Sequence, residues 1–183
     1  MDIAAEQFGY VTTRQAVERG VTGNALRMMA TRGTLERVSW GVYRVPTFPP
    51  SPYAEYMEAS LWPAGVRGVI SHQSGLALRA LSDVSPAAIH ITVPQGFRIR
   101  RAIPDRLVVH NADLRDEELT LFEGIHATTV ARSILDCHRA HLGPALLRQA
   151  LDEAEREGFL KPREAADLRA RVLVETVRES SGA

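Results

Sequence analysis

The chain has 183 residues, a length that suffices for one large domain or two small ones. It has no net charge at pH 7, and 45% of its residues are hydrophobic. The neutral balance excludes nucleic-acid binding through overall charge and leaves only local basic patches. The single cysteine, Cys137, excludes an intrachain disulfide, and no apolar run approaches the ~20 residues that span a bilayer, so a cytoplasmic protein without a membrane partner is predicted.

The first predicted element is a helix over residues 2–8, and two helices joined by a tight turn follow it. A hydroxyl at Thr12 or Thr13 can cap the first of them, because it accepts a hydrogen bond from an unpaired amide of the first turn. Gly20 suits the left-handed residue that ends this helix. Thr22 can cap the following helix, which is predicted over residues 23–32.

The next elements are two short strands, predicted over residues 35–38 and 42–45. Gly41 lies between them and supplies the permissive backbone that a tight hairpin needs. The order helix, turn, helix and hairpin predicts a winged helix-turn-helix, a module whose second helix can enter the major groove of DNA.

The helix over residues 23–32 has two distinct faces. Leu26, Met29 and Ala30 follow the i, i+3, i+4 spacing of a buried stripe and are predicted to face the core. The positions predicted to point outward are Asn24, Arg27, Met28 and Thr31.

Local charge favours DNA as the partner of this module. Residues 11–45 contain six arginines and two acids, a net +4 in a neutral chain. Asparagine can pair with adenine and arginine with guanine, so Asn24 and Arg27 are predicted to read bases. Further DNA contacts, mostly to the phosphates and sugars that set the register, are predicted for Thr13, Arg14, Thr31, Arg32, Arg37, Trp40 and Arg44. The alternative is a winged helix used only for protein binding or dimerisation.

A proline-rich segment, PTFPPSP over residues 46–52, is predicted to be a stiff linker. The predicted organisation is therefore a DNA-binding domain over residues 1–46, a linker over 47–52 and a C-terminal domain over 53–183. Few contacts are expected between the two domains.

The second domain is predicted to mix helices with a small sheet, which gives an α+β fold class for the chain. A helix is predicted over residues 53–61, a second opens at Ser71, and the alternating strand 89–93 pairs with 107–110. Three helices are predicted to end the domain: one capped by Thr128 or Thr129 and running to residue 139, one over 144–157 and one over 162–178.

The loop between these two strands is rich in arginine. Arg98, Arg100 and Arg101 alternate with Phe97 and Ile99. The pattern predicts a second contact surface, either for phosphates or for an acidic patch on a protein partner. The alternative is a solvated connection whose charges keep the chain soluble.

The residues do not predict an enzyme. His72 lies beside Ser71, but no nearby acid and no G-x-S-x-G elbow complete a nucleophilic site, so Ser71 is interpreted as a helix cap. The only lysine, Lys161, does not follow an acid in the E-x-K pattern of metal-dependent nucleases.

No metal site or cofactor is predicted either. Cys137, His138 and His141 lack the paired spacing of a four-ligand zinc site. The remaining histidines, His72, His90, His110 and His126, are interpreted as scattered, with His90 and His110 across from each other on paired strands.

Four motifs in order carry a family resemblance. They are GYVTTRQAVERGV, RGTLERVSWGVYRVP, ISHQSGLALRALSDVSPAAIHITVP and GIHATTVARSILD, which all lie between residues 8 and 137. Their order and spacing resemble the AbiEi-type antitoxins of bacterial toxin–antitoxin systems. Met28 and Met29 depart from the pattern, since relatives often carry more arginine on this helix.

The resemblance implies a fold and a function. Family members have an N-terminal winged helix and an α/β C-terminal domain, and they repress their own promoter by binding its repeats. They also neutralise a nucleotidyltransferase-like toxin, in some members without a tight complex. The predicted function is thus an autorepressing antitoxin whose partners are double-stranded DNA and a toxin. The alternative is a winged-helix regulator of the same fold without a toxin.

Overall fold

The computed structural model describes residues 2–173, which form an α+β fold with two β-sheets, as predicted. The N-terminal part follows the predicted order, with one extra strand. Its elements are α1 (Asp2–Glu6), β1 (Tyr10–Thr12), α2 (Thr13–Glu18), α3 (Gly23–Thr31), β2 (Glu36–Ser39) and β3 (Val42–Arg44).

The N-terminal part is a winged helix-turn-helix with a three-stranded sheet in the order β1-β3-β2. Thr12 caps α2 and forms a capping box with Gln15, and Thr22 caps α3 through the amide of Ala25. Strand β1 was not predicted because three residues are too few for a period-2 pattern, and it pairs antiparallel with β3.

One predicted burial on α3 is wrong. Leu26 is 3% exposed and Ala30 packs against the same small core, but Met29 is 38% exposed. The core beneath α3 is small, with four buried residues among those described, so a narrow i, i+4 stripe covers it and Met29, the third predicted position, stays outside.

The C-terminal part has a mixed five-stranded sheet in the order β6-β5-β4-β8-β7, with helices packed against it. The predicted strands β5 and β6 pair in parallel, whereas β4, β7 and β8 were not predicted. The predicted last helix extends beyond residue 173, outside the described residues. The elements are α4 (Ala54–Leu61), β4 (Val69–Ile70), α5 (His72–Ala77), β5 (Ile89–Val93), β6 (Leu107–Asn111), β7 (Leu119–Phe122), β8 (Ile125–Thr128), α6 (Val130–Arg139), α7 (Pro144–Arg156) and α8 (Pro162–Leu173).

The expectation of few contacts between the two parts is wrong. One apolar cluster contains Tyr10 and Val42 of the winged helix together with Met57, Ile70 and Ile91 of the second part. The proline-rich segment is packed as well, since the Phe48 side chain lies against Gly9. The prolines of this segment predict only that regular structure is broken. They do not show that Phe48 packs beside Gly9, which is distant in sequence.

Candidate nucleic-acid interface

The outer face of α3 presents the residues that were predicted to read DNA. Asn24, Arg27, Met28 and Thr31 are all exposed, as predicted. The Thr31 hydroxyl donates to the backbone oxygen of Arg27 at 3.0 Å, and the Arg27 Nε donates to the Gly23 oxygen at 3.2 Å. Both bonds lie within the helix, so they order the face without joining it to another element.

The start of α2 lies next to the wing. Thr13 is half-buried, and its hydroxyl donates to the Gly41 backbone oxygen at the wing tip over 3.4 Å. Arg14 is exposed and lies 3.7 Å from Glu18, while its guanidinium also donates to the Gly65 oxygen at 3.2 Å. These contacts connect α2 to the hairpin and to the second part of the chain.

The other predicted phosphate contacts differ in how they are held. Arg32 and Arg37 are exposed. Arg44 is half-buried, donates to the Phe48 oxygen at 3.1 Å and lies 5.9 Å from the centre of the Tyr10 ring. Arg44 therefore already serves the packing of the proline-rich segment.

The wing tip is bound to the arginine loop. The guanidinium of Arg101 donates to the backbone oxygens of Trp40 and Trp62. It also lies 5.4 Å and 4.3 Å from the centres of the two indole rings, within cation–π range. We call this arrangement the Arg101 clamp.

The Arg101 clamp divides the predicted second contact surface. Arg98 and Arg100 are exposed, whereas Arg101 is half-buried against the indoles. A cavity of about 980 Å³ lies beside the clamp and is lined by Trp40, Trp62 and the loop itself. Sequence reasoning missed the clamp because Trp40 and Arg101 are far apart in the chain.

A buried polar network also joins the two parts. Glu58 of α4 is 7% exposed and forms an ion pair with Arg106. Burial, followed by the negative charge of Glu58 and a hydrogen bond to it, raises the pKa of the Tyr10 phenol. The Tyr10 hydroxyl of β1 therefore stays protonated beside the Glu58 carboxylate of α4.

Three histidines, His72, His90 and His110, lie together, and we call them the histidine cluster. His90 and His110 are on neighbouring parallel strands, but they are not directly opposite as interpreted, because His90 pairs with Val108 and His110 with Thr92. The His90 Nδ1 lies 3.0 Å from the His110 Nε2. The His72 ring stacks on that of His110 with centroids 3.6 Å apart. One ring nitrogen from each residue lies within 4.8 Å of the others.

The histidine cluster corrects the expectation that these histidines are scattered. They are distant in sequence, but the start of α5 packs over β5 and so brings His72 to the face that carries His90 and His110. Burial, followed by the charges of His110 and His90, lowers the pKa of His72 to about 3. Burial also lowers the pKa values of His90 and His110.

Ser71 has a different role from the predicted cap. It occupies the N-cap position of α5, but its side chain makes no capping hydrogen bond. Its Oγ lies 3.0 Å from the His72 Nδ1 and accepts from the Thr92 hydroxyl at 2.8 Å. The residue therefore orients the imidazole.

Cys137 and His141 do not form a ligand group. Cys137 is fully buried, and burial raises the pKa of its thiol to about 12, while His141 is exposed. Over residues 2–173, the histidine cluster is the one group of three or more potential ligands. In the same range, no helix is long and apolar enough to cross a membrane.

Residues 1–46 match a family model described as a transcriptional regulator, AbiEi antitoxin. The predicted resemblance is confirmed over these residues, and the motifs of the second half lie outside the match. A crystal structure of the RV2827C protein from Mycobacterium tuberculosis is 19% identical with a TM-score of 0.49, and the alignment covers 92% of this chain and 69% of that chain. No curated protein matches the chain.

Proposed function

We propose that this protein is a cytoplasmic DNA-binding antitoxin that represses its own operon and counteracts a nucleotidyltransferase-like toxin. The observation that carries the proposal is the exposed face of α3, with Asn24 and Arg27 outward, in a segment that matches the AbiEi regulator family. The mode of action is binding and not catalysis, in keeping with the regulatory description of that family.

In the proposed DNA complex, α3 enters a major groove and the wing lies along the backbone. Asn24 and Arg27 have the chemistry for adenine and guanine edges. Arg32 and Arg37 are exposed and carry the charge that phosphate contacts need. An operator with inverted repeats takes two copies of the module.

Replacing Arg27 with alanine is expected to weaken binding to the chain's own promoter by about 5- to 150-fold, because a bidentate arginine–guanine pair contributes ~1–3 kcal/mol of discrimination. Binding to unrelated DNA of the same length should change far less. The measurement is a mobility-shift titration at one fixed salt concentration.

Two matched variants separate base reading from charge. Arg37→Ala removes an exposed wing arginine. It should lower the affinities for promoter DNA and for unrelated DNA to a similar degree and make both depend less steeply on salt. Arg148→Ala removes an exposed charge on α7 and should leave both DNA affinities unchanged. Unchanged promoter binding in Arg27→Ala would contradict the assignment of α3 as the reading helix.

The proposed division of labour assigns DNA binding to residues 1–46 and toxin control to residues 53–183, joined by 47–52. Because the two parts share an apolar cluster, point variants of the full chain test this division better than fragments. Asn24→Ala combined with Arg27→Ala is expected to abolish promoter repression while rescue of growth from the co-expressed neighbouring toxin gene is retained.

The readouts are a promoter–reporter fusion and colony formation. The control is Arg148→Ala, which removes an exposed charge on α7 and should leave both repression and growth rescue intact. Loss of growth rescue in the α3 double variant, at equal protein level, would show that toxin control requires the DNA-binding face.

The second candidate is a regulator of the same fold without a toxin. The cavity beside the Arg101 clamp favours it, since a small molecule there would touch both the wing and the loop. The two candidates differ in gene neighbourhood, because an antitoxin is expected to be encoded next to a nucleotidyltransferase-like gene.

A further inference from the structure

The histidine cluster is a site that the DNA-binding function does not use. Its three side chains are half-buried, so an ion can reach them from solvent. One ring nitrogen of each residue lies within 4.8 Å of the others. We propose that His72, His90 and His110 together bind a divalent transition-metal ion, with zinc as the favoured ion.

The spacing of two of the ligands is already close to that of a zinc site. The His90 Nδ1 and the His110 Nε2 are 3.0 Å apart. Two nitrogens bound to one tetrahedral zinc at ~2.0–2.1 Å lie about 3.3 Å from each other. Without an ion, one of these nitrogens must carry a proton for the other to accept, and an ion replaces that proton as the bridge.

The third ligand is oriented by its neighbours. A metal-binding histidine uses one ring nitrogen for the ion and donates the other N–H to an oxygen, which fixes its tautomer. The His72 Nδ1 lies 3.0 Å from the Ser71 Oγ, which in turn is held by the Thr92 hydroxyl. This bond leaves the His72 Nε2 as the ligand atom.

The backbone at His72 is also unusual. Its φ is +52°, in the left-handed region that is strained for a residue with a Cβ. Its ring is stacked on that of His110 with an interplanar angle of 12°. Binding one ion with both rings requires them to open from this stack by side-chain rotation, so metal binding changes the surroundings of both imidazoles.

The donor set selects the class of ion. Three imidazoles suit zinc, copper and nickel, whereas magnesium and calcium prefer oxygen ligands. The two arginines near His72, Arg132 and Arg139, are each paired with Asp136, and Arg132 also pairs with Glu118. Three protein ligands leave one coordination position for water or another ligand, and the ion would join α5 to strands β5 and β6.

The test uses the full-length protein, stripped with a chelator and titrated with Zn²⁺ against a chromogenic chelator. We expect one zinc per chain, no competition from Mg²⁺, and a loss of affinity of at least ~10-fold in His90→Gln and in His110→Gln. The matched control is His141→Gln, which changes an exposed histidine outside the cluster and should leave the affinity unchanged. Equal zinc affinity in wild type and His90→Gln overturns the proposal.

A second measurement on the wild-type protein does not depend on how the variants fold. In NMR spectra of protein labelled at histidine, Zn²⁺ should shift the ring resonances of His72, His90 and His110 and leave those of His141 unchanged. Absence of a shift at the three residues, or an equal shift at His141, also overturns the proposal.

Discussion

Replacing Gly9 with alanine is expected to lower the free energy of unfolding by about 2–5 kcal/mol, measured by urea denaturation. Gly9 has φ +88°, a conformation that costs an L-residue roughly 1–2 kcal/mol. An added Cβ would also lie 2.6 Å from the Cβ of Phe48, and such overpacking typically costs a further ~1–3 kcal/mol. The range of about 2–5 kcal/mol is the sum of these two costs.

Two other glycines separate these effects. Gly20 has φ +81° and nothing within 4 Å of an added Cβ, so Gly20→Ala should cost only the ~1–2 kcal/mol of backbone strain. At Gly96, where the φ is not positive and the space is open, alanine should change stability by less than about 0.5 kcal/mol. Equal losses at Gly9 and Gly20 would mean that Phe48 does not pack as described.

Replacing Arg132 with methionine is expected to cost about 3–5 kcal/mol of unfolding free energy, because it removes the most buried cation of an ion-pair network and, among the described residues, leaves Asp136 only Arg139 and Glu118 only Arg115. The Arg132 Nε lies 2.8 Å from the Asp136 Oδ1, and its Nη1 lies 3.0 Å from the Glu118 Oε1. The Asp136 side chain is only 4% exposed, so water cannot replace the lost hydrogen bonds.

The matched control for this variant is Arg169→Met. Arg169 also pairs with two carboxylates, Asp152 and Glu155, but these side chains are 57% and 33% exposed. Solvent-exposed ion pairs contribute about 0–1 kcal/mol to stability, so the free energy of unfolding of this variant should be close to that of the wild type. Comparable losses in the two variants would show that burial of the Arg132 pair does not decide its contribution.

The loss caused by Arg132→Met should also depend on pH. Hydrogen bonds from Arg115 first, and then the ion pair with Arg132, lower the pKa of Glu118 from 4.5 to about 2. A lowered folded-state pKa contributes stability above pH ~4.5 that is lost as pH falls toward 2. The difference between wild type and variant should therefore narrow over that interval, and a constant difference would contradict this assignment.

The sequence predicted those parts of the fold whose signals are local. The hydroxyls of Thr12, Thr22 and Thr129 each cap a helix, and a cap depends only on residues three positions apart. The β7–β8 hairpin was also locally encoded, with alternating residues around Glu123-Gly124 and φ +74° at the glycine, but this turn signal was overlooked. Strands β1 and β4 have three and two residues, too few for any periodicity.

The candidate sites divide in the same way. The outward face of α3 follows from helical spacing, so the exposure of Asn24 and Arg27 could be predicted. The histidine cluster depends on the packing of α5 over β5 and on the parallel register of β5 with β6. That register is set by tertiary contacts, so the spacing of His72, His90 and His110 along the chain could not reveal it.

The Arg101 clamp joins the wing of the N-terminal part to the second half of the chain, so the conformations of the two are coupled. Because Arg101 holds the wing tip through Trp40, any ligand that binds better when this contact is broken must alter the affinity for an operator that needs the wing in place. Linkage makes the effect reciprocal: operator DNA changes the affinity for that ligand by the same factor. Release from the operator and binding to it would then both depend on one equilibrium, between the intact and the broken contact of Arg101 with Trp40.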